Sequence, residues 1–345
     1  MRRTRARHPA KRRSKWLTPR RWTGLFARMR FSPVLSMLLL LGVAATGTAA
    51  QVTAARVVDD RVADHRAADH RAADHRAADV AVHDRYFAAS DGTRLHYLEA
   101  GTAFARTIVL VPGWTMPAWI WEAQIQAFGR RDHVVAFDPR GQGHSDVPPG
   151  GYEPIRRGKD IGDLIAHLGQ TQVLVVAWSL GVLDTLAFVR THGDAHLAGL
   201  VLVDNSVGEE PPPPVPPPPT GPPPPKPPHA EAMRRFVAGM FHTPRSQAYL
   251  DRLTQATLRT PEAAARALLS YPMPRGYWKE AVYATNRPVL YVVRPRWVPQ
   301  AENLARGRPG TETEIFNTAG HALFVDEPAR FNTIVANFIR RRVWP

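Results

Sequence analysis

The 345-residue chain contains no cysteine. This absence excludes disulfide cross-links, thiolate catalysis and cysteine-based metal sites. The formal net charge of the chain is +15. Residues 1–30 contain twelve lysines and arginines and no acidic residue, so the rest of the chain carries a net charge of only +3. The high charge therefore belongs to one terminal segment and does not favour nucleic-acid binding, and we expect no nucleic-acid partner.

An apolar run follows the basic segment. It covers residues 34–45 and continues into small residues that end at Ala50. A basic region, an apolar core and a small-residue exit are typical of a secretory signal. A membrane-spanning helix needs about 20 apolar residues, so the run is short for one. We predict export to the periplasm or the extracellular space, with cleavage after Ala50; retention of residues 34–50 as a membrane anchor is the alternative.

The basic leader is long for a signal of this kind. A start at Met29 instead of Met1 would give a more ordinary signal. The pair Arg20-Arg21 weakly resembles a twin-arginine signal, so the sequence leaves the export route open.

Residues 61–79 repeat a five-residue unit that contains three histidines, His65, His70 and His75. A period of five matches neither the helical 3.6 nor the strand period of two, so the three side chains do not share one face for long. We predict a low-complexity linker over residues 51–80 rather than a metal site.

Apolar and amphipathic segments alternate from residue 81 to the C terminus. This alternation predicts an α/β fold with a mostly parallel, doubly wound sheet covered by helices on both faces. The core is expected over residues 81–206 and 286–345. The predicted strands are Val82–Ala88, Arg94–Glu99, Thr107–Val111, His133–Phe137, Val173–Val176, Leu200–Val203, Pro288–Val293 and Thr313–Phe316, and the predicted core helices are Trp119–Gly129, Ile155–Leu168 and Pro328–Arg341.

Proline interrupts this series after the sixth core strand. Residues 211–228 contain fourteen prolines. Since proline cannot donate to a sheet ladder, we predict an extended spacer over residues 207–229, with a ligand for a proline-binding partner as the alternative. Residues 230–285 then show short helical patterns over 232–241, 247–257 and 261–270, which predict a small helical cap inserted at the edge of the sheet.

A serine lies between a predicted buried strand and a predicted helix. The helix that follows Ser179 carries apolar residues at helical spacing. A tight strand-to-helix turn of this kind needs small residues two before and two after the serine. Gly181 meets that requirement, whereas Ala177 stands where glycine is usual. The pattern predicts a nucleophilic serine; a turn that merely contains serine is the alternative.

Three more motifs extend the pattern in chain order. They are the Val-Pro-Gly-Trp of residues 111–114, the Phe-Asp-Pro-Arg-Gly-Gln-Gly-His-Ser-Asp of residues 137–146, and the Ala-Gly-His-Ala of residues 319–322. With these motifs the chain resembles the α/β-hydrolase superfamily over about residues 82–345, with the helical cap inserted after the sixth core strand.

The resemblance implies acyl transfer through a catalytic triad and needs no cofactor or metal. Ser179 would attack a carbonyl carbon, and His321 would take its proton and return it to the leaving group. The backbone N–H groups of Leu180 and Trp114 would stabilise the oxyanion. Pro112 replaces the usual histidine of that loop, which costs little because the donors are main-chain groups.

The sequence offers two candidates for the acid of the triad. The superfamily normally places it after the strand Pro288–Val293, where this chain has basic and aromatic residues. Some members place it after the preceding core strand, where this chain has Asp204. We therefore predict Asp204 as the acid that orients His321, with Glu302 as the alternative.

The other polar residues of these motifs receive smaller roles. Asp138 and Arg140 are expected to brace loops, and His144 is expected to occupy a turn. Ser145 lacks the strand-to-helix context of a nucleophile, and Asp184 receives no role.

Serine at the turn disfavours dehalogenases and epoxide hydrolases, which use aspartate there within this fold. Four tryptophans, Trp114, Trp119, Trp121 and Trp178, suggest an apolar pocket mouth or the core, and apolar cap residues such as Met233 and Phe236 would cover the pocket. We predict an exported serine carboxylesterase for small or medium apolar esters. The alternatives are a cofactor-free perhydrolase or haloperoxidase-like enzyme of the same fold, and a non-catalytic exported binding protein.

Overall fold

The computed structural model describes residues 79–103, 105–212 and 225–345. Eight strands of this part form one sheet in the order β1-β2-β4-β3-β5-β6-β7-β8. Strands β3 to β8 are parallel to one another, and β2 runs antiparallel to both β1 and β4. The predicted α/β class and mostly parallel sheet are therefore confirmed. The strands are β1 Val82–Ala88, β2 Arg94–Ala100, β3 Thr107–Val111, β4 His133–Asp138, β5 Val173–Trp178, β6 Leu197–Val203, β7 Val289–Val293 and β8 Glu312–Ile315.

The inner strands are buried along their whole length. Every residue of β3 to β7 is buried, and valine and leucine dominate these strands. Unbroken apolar runs form strands when both faces of a sheet are covered. The hairpin of β1 and β2 differs, since its first strand is almost fully exposed at the sheet edge. Gly92, with φ +83°, supplies the left-handed position of its tight turn.

Helices cover both faces of the sheet. One apolar core holds α2, α3, α7 and α8, and the other holds α1 and α10. The result is a doubly wound, three-layer architecture. The helices are α1 Glu122–Phe128, α2 Pro154–His167, α3 Leu180–His192, α4 His229–Ala238, α5 Gln247–Leu258, α6 Glu262–Leu268, α7 Arg275–Ala284, α8 Val298–Gly307, α9 Leu323–Asp326 and α10 Pro328–Phe338, with 3₁₀ turns at Ala118–Trp121 and Pro295–Trp297 and a π turn at Ile339–Val343.

The helices α4 to α6 lie in the insertion between β6 and β7. The insertion also contains α7, which the sequence assigned to the cap without identifying it as a helix. Trp278, Ala281 and Val282 of α7 are buried in the core that covers the sheet. Because these positions recur every three or four residues, they form one apolar face. The helix α7 thus packs on the sheet, while Val237 of α4 and Leu253 of α5 join the core on the other face and α6 belongs to a small separate cluster.

The chain leaves β6 through a buried anchor before the proline tract. Glu209 accepts hydrogen bonds from Lys279 Nζ at 2.7 Å and Tyr283 Oη at 2.8 Å, which fix this segment to α7. Burial acts to raise the pKa of the Glu209 carboxyl, but these hydrogen bonds outweigh it and lower the pKa. The leader at 1–50, most of the linker at 51–80 and tract residues 213–224 lie outside the described residues.

No helix within residues 79–103, 105–212 and 225–345 is long and apolar enough to cross a membrane.

Candidate active site

Ser179 lies on a strained turn between β5 and α3. Its backbone has φ 53° and ψ −120°, a region that non-glycine residues occupy at a cost of about 1–3 kcal/mol. Two hydrogen bonds hold the turn: Ser179 N–H donates to Val203 O at 2.9 Å, and Asn205 Nδ2 donates to Ser179 O at 2.8 Å. The neighbouring strand β6 therefore fixes the conformation that aims the hydroxyl away from the sheet.

Close packing explains the small residues around this turn. A Cβ atom added to Gly181 would lie 2.7 Å from the carbonyl oxygens of Val111 and Pro112, and one added to Gly113 would lie 3.0 Å from Ser179 Cβ. Ala177 is fully buried in the apolar core beneath β5. The strand therefore accommodates a methyl group at the position where glycine is usual, whereas the helix start does not.

His321 faces the serine from the loop after β8. Its Nε2 lies 2.9 Å from Ser179 Oγ, and its Nδ1 lies 2.6 Å from Asp204 Oδ2. The Trp178 indole donates to the His321 carbonyl oxygen at 2.8 Å. The imidazole is therefore held at both nitrogens and through its backbone.

The loop of His321 is also bound to the cap segment that follows α4. A Cβ atom on Gly320 would lie 2.3 Å from Met240 O, and the same carbonyl accepts the N–H of Ala322 at 3.1 Å. Asp326 accepts from Gly320 N–H at 2.7 Å and from His242 N–H at 2.8 Å. Glycine is therefore required before the histidine because the cap backbone passes directly over it.

Asp204 follows β6 and is fully buried. Its carboxylate accepts from His321 through Oδ2 and from the backbone N–H of Arg294 through Oδ1, the latter at 3.0 Å. Burial acts to raise the pKa of this carboxyl, but the hydrogen bond and charge of His321 and the charge of Arg294 outweigh burial, so the pKa is lowered. Asp204 is thus an ionised acceptor beside the imidazole. The alternative acid, Glu302, is exposed on α8, and the structure does not bring it to His321.

Trp114 and Leu180 are brought together by a small apolar cluster. Leu180 is buried against Ala264 and Leu268 of α6, and Trp114 packs against the same cluster. The Trp114 indole donates to Ala265 O of α6 at 2.7 Å. Within the described residues, neither backbone N–H of Trp114 and Leu180 donates to a protein acceptor. Both N–H groups are therefore free to bind an oxyanion.

The loop that carries Trp114 is itself braced. Thr115 is buried with φ 59°, and its N–H donates to the side-chain oxygen of Gln142. Thr115 Oγ1 donates to Trp114 O at 2.7 Å. The side chain of Gln142 thus supports a left-handed turn next to one of the two candidate oxyanion donors.

The polar residues of the 137–146 loop form a network beside the site. Asp138 accepts from Ala118 N–H at 2.5 Å, His144 N–H at 2.9 Å and the His96 ring at 2.7 Å. Ser145 Oγ donates to Asp138 O at 2.5 Å. The Asp138 carboxylate and the Ser145 hydroxyl are therefore occupied by hydrogen bonds within the loop and to neighbouring segments.

Two buried ion pairs involve Arg140 of this loop and Arg157 of α2. Arg140 Nε donates to Asp160 at 2.5 Å. Arg157 Nε donates to Asp184 at 2.9 Å and Nη1 of the same guanidinium donates to Leu268 O at 2.8 Å. Burial raises the pKa of Asp184 to about 6. Arg157 thereby connects the helix that starts at the serine turn to α6.

The four tryptophans divide between core and surface. Trp121 and Trp178 are buried, and the Trp121 ring stacks on Phe324 at 3.8 Å. Trp114 contacts Phe236 of α4 with ring centroids 5.0 Å apart. Trp119 lines a cavity of about 350 Å³ with His96 and Arg252, away from Ser179. Among the four, Trp114 is therefore the one that lies at the site with an apolar surface facing the cap.

The sequence did not identify two residues that contact the predicted triad. The Trp178 indole holds the loop of His321, and Arg294 Nε donates to Asp204 Oδ2 at 2.7 Å. Trp178 directly precedes the serine, which is a signal in the chain, but its partner lies 143 residues away. Arg294 follows β7, where its presence indicated only that no acid stands there.

No group of three or more histidine, aspartate or glutamate side chains suited to a metal ion occurs among the described residues.

The model of the alpha/beta hydrolase family matches residues 108–334, which is more than half of the chain. The chain belongs to this family. One segment is 31% identical over 119 residues to a non-heme haloperoxidase of Rhodococcus erythropolis, covering 34% of this chain and 43% of the relative. Another is 33% identical over 94 residues to a soluble epoxide hydrolase of Corynebacterium sp. (strain C12), covering 27% of this chain and 32% of the relative. The chain thus spans less than half the length of these curated relatives.

A solved structure agrees with this assignment at the level of the fold. An esterase from Rhodococcus sp. ECU1013 superposes with a TM-score of 0.62 at 21% sequence identity, covering 75% of this chain and 99% of the esterase. The sequence relatives named here are a haloperoxidase and an epoxide hydrolase, the esterase shares the fold, and the family alone does not select among reactions.

Proposed function

We propose that the chain is a serine hydrolase that cleaves carboxylic esters through an acyl-enzyme on Ser179. One observation carries the proposal: Ser179 Oγ, the two nitrogens of His321 and Asp204 Oδ2 form one hydrogen-bonded chain, with steps of 2.9 and 2.6 Å. This is the geometry that serine catalysis needs from a nucleophile, a general base and an acid that orients the base.

The ionised acid selects the reactive tautomer of His321. A carboxylate only accepts hydrogen bonds, so the imidazole Nδ1 carries the proton that it donates to Asp204. The lone pair of Nε2 then points at Ser179 Oγ and takes the hydroxyl proton as the serine attacks. The same nitrogen returns the proton to the leaving alcohol, and a second cycle with water releases the acid product.

The N-terminus of α3 supports the negative charge that develops on the carbonyl oxygen. Leu180 N–H is the first of this 13-residue helix, whose N-terminal end carries partial positive charge. Trp114 N–H would complete the pair of donors. Donors fixed by the protein before the reaction are worth about 3–4 kcal/mol each in comparable sites.

The surroundings of the serine favour an apolar ester of small or medium size. Trp114, Phe236 and Leu180 present apolar surface at the turn, and the helix α6 closes over it through Ala264 and Leu268. Serine at the turn also argues against epoxide hydrolysis, which in this fold uses an aspartate nucleophile there.

The test is covalent labelling of the full-length protein with a fluorophosphonate, followed by peptide mapping. We expect the label on Ser179 and none on Ser145, which is buried and hydrogen-bonded within its loop. The Ser179→Ala variant should lose both the label and the hydrolysis of p-nitrophenyl esters. A panel from acetate to octanoate then reports the acyl length that the apolar surface prefers. Folded protein that takes no label would refute the proposal and favour a non-catalytic binding protein.

Perhydrolysis is a second candidate, favoured by the haloperoxidase segment match. In this reaction hydrogen peroxide replaces water as the second nucleophile at the acyl-enzyme, so the ester bond to Ser179 breaks and a peracid leaves, which can oxidise a halide. Halogenation of an acceptor that requires peroxide, a short carboxylic acid and Ser179 would support it. Ester hydrolysis without this activity would favour the esterase.

We also propose that the enzyme is exported, with the basic segment and apolar run of residues 1–50 acting as the signal. Peptide mapping of secreted or membrane-bound protein tests this. A mature N-terminus at Gln51 supports release, whereas peptides from residues 34–50 in the membrane fraction support the anchor.

A further inference from the structure

The carboxylate of Asp204 is shared between two cationic side chains. Its Oδ2 accepts from His321 Nδ1 at 2.6 Å and from Arg294 Nε at 2.7 Å. Its Oδ1 accepts the backbone N–H of Arg294 at 3.0 Å. Arg294 thus supplies two of the three hydrogen bonds that the described residues make to this buried carboxylate. The acid of the triad depends on this arginine as much as on the histidine.

The guanidinium also lies directly beside the imidazole. Arg294 Nη2 is 3.5 Å from His321 Nδ1. Since Nδ1–H already donates to Asp204, two donors face each other and this contact is not a hydrogen bond. When His321 gains its second proton, two positive charges lie at this distance. The repulsion opposes the attraction that Asp204 exerts on the imidazolium.

We propose that Arg294 is a positioning residue of the triad: it fixes the Asp204 carboxylate toward His321 and disfavours imidazolium in the free enzyme, which keeps the base available in mildly acidic medium. The proposal rests on the triad of the proposed function. Asp204 and Arg294 together carry no net charge, so His321 gains less from protonation than it would beside an uncompensated carboxylate.

Asp204 itself needs this support. Its backbone has φ 49°, a left-handed conformation that is costly for a residue with a side chain. The hydrogen bonds of Arg294 tie both carboxylate oxygens to the strand end of β7, which pairs with β6 in the sheet. The carboxylate is therefore oriented by two adjacent strands, and His321 meets an acceptor that is already in place.

Other charges near the pair are compensated or more distant. Asp326 accepts the Gly320 N–H of the His321 loop and is paired with Arg245 at 2.9 Å. Arg296 follows Arg294 in the same loop, is exposed, and stacks on Trp297 at 4.6 Å. The charged and titratable side chains around the Asp204–His321 pair are Arg294, Arg296, Tyr291, Asp326 and Arg245. Arg294 is the cation among them that contacts the pair, and Arg296 offers a matched control.

The experiment measures the rate of fluorophosphonate labelling of Ser179 and the kcat/KM of ester hydrolysis between pH 4 and 8. The full-length variants are Arg294→Met, Arg294→Lys and Arg296→Met. We expect Arg294→Met to move the acidic limb of both profiles upward by about one pH unit, which slows labelling at pH 5 by about tenfold. Arg294→Lys keeps the charge and should leave the limb near its original position. Arg296→Met should move it much less, because Arg296 interacts with Asp204 only through its charge and makes no hydrogen bond to it.

An acidic limb that stays in place in folded Arg294→Met would overturn the proposal and make Arg294 a purely structural partner of Asp204. If Arg294→Met does not fold, Arg294→Gln retains an N–H donor for the carboxylate without the charge, and the same limb shift is required of it. An equal shift in Arg296→Met would also overturn the proposal, since the effect would then come from general charge. A wild-type protein that takes no label contradicts the proposed function instead.

Discussion

Exchange of Asp204 for asparagine tests the assignment of the acid most directly. The amide has nearly the same shape as the carboxylate, so it fits the buried position, but it has one acceptor oxygen in place of two. Arg294 N–H and Nε use both carboxylate oxygens, and His321 Nδ1 uses one of them. An amide nitrogen that turns toward His321 would donate to Nδ1, which then carries no proton, and the reactive tautomer is lost.

The magnitude follows from the geometry. A unit charge 2.6 Å from the imidazole, at an effective dielectric constant of about 20, stabilises the imidazolium by about 6 kcal/mol. Each 1.36 kcal/mol corresponds to about tenfold in rate. A fall in kcat of about 10⁴-fold is therefore expected, similar to the effect of this exchange in other serine triads. KM should change little, since the carboxylate is buried and does not contact substrate.

The assay is steady-state hydrolysis of p-nitrophenyl acetate, with thermal unfolding to show that the variant is folded. Glu302→Gln is the matched control, because Glu302 is exposed on α8, and its kcat should equal that of the unaltered protein. A kcat for Asp204→Asn within tenfold of that value would refute the reasoning. If Glu302→Gln showed the large loss instead, the acid would have to be Glu302.

Three further predictions follow from contacts of the described residues. Gly181→Ala should abolish activity and lower the free energy of unfolding by about 1–3 kcal/mol, because its Cβ would meet two carbonyl oxygens at 2.7 Å. The control is Gly276→Ala in α7, where the nearest atom to the added Cβ lies at 3.9 Å. This exchange should be neutral or slightly stabilising in the same denaturant titration. Trp114→Phe removes the hydrogen bond to Ala265, so kcat should fall about three- to tenfold with a smaller change in KM; an unchanged kcat would show that the indole does not position the oxyanion turn. Burial acts to raise the pKa of the Asp163 carboxyl, but its hydrogen bonds outweigh burial and lower the pKa. Asp163→Asn should therefore lower the free energy of unfolding by about 1 kcal/mol at pH 7 and by progressively less below about pH 4. A loss independent of pH in urea unfolding would contradict this prediction.

The strands could be predicted because buried strands have a recognisable pattern of apolar residues in the sequence. A strand covered on both faces reads as a continuous apolar run, and β3 to β7 all do so. The helix α7 was missed because Gly276 and its adjacent aromatic residues give a weak helical pattern. The helix is stabilised by its packing on the sheet, and this contact cannot be recognised from the sequence of the segment alone.

The order of the motifs was enough to place Ser179, His321 and Asp204 at the same edge of the sheet. Parallel strands bring the loops after their carboxyl ends together, and β5, β6 and β8 carry these three residues. The contact between Arg294 and Asp204 could not be inferred in this way. At this position the sequence showed only that no acid is present, while in the structure the arginine donates to Asp204 at the end of the adjacent strand.

Depth of burial was the second property that the sequence did not resolve. The four tryptophans have similar apolar surroundings in the chain, yet Trp121 and Trp178 are in the core while Trp114 reaches the cap. The residue type indicates that an aromatic side chain prefers burial. Whether it packs in the core or against the cap depends on contacts with segments that are distant in the chain.

The backbone of the cap is hydrogen-bonded to two loops of the proposed catalytic site. Met240 O accepts from Ala322 N–H next to His321, and Ala265 O accepts from the Trp114 indole, whose backbone N–H is one of the proposed oxyanion donors. If the insertion were exchanged for that of a relative, these two hydrogen bonds would be lost together with the side chains of the cap that face the substrate. A chimaera should recover turnover only when the glycine before the histidine and the tryptophan of the oxyanion turn are matched to the incoming segment. We therefore expect that the substrate specificity of this protein cannot be changed by exchanging the cap alone.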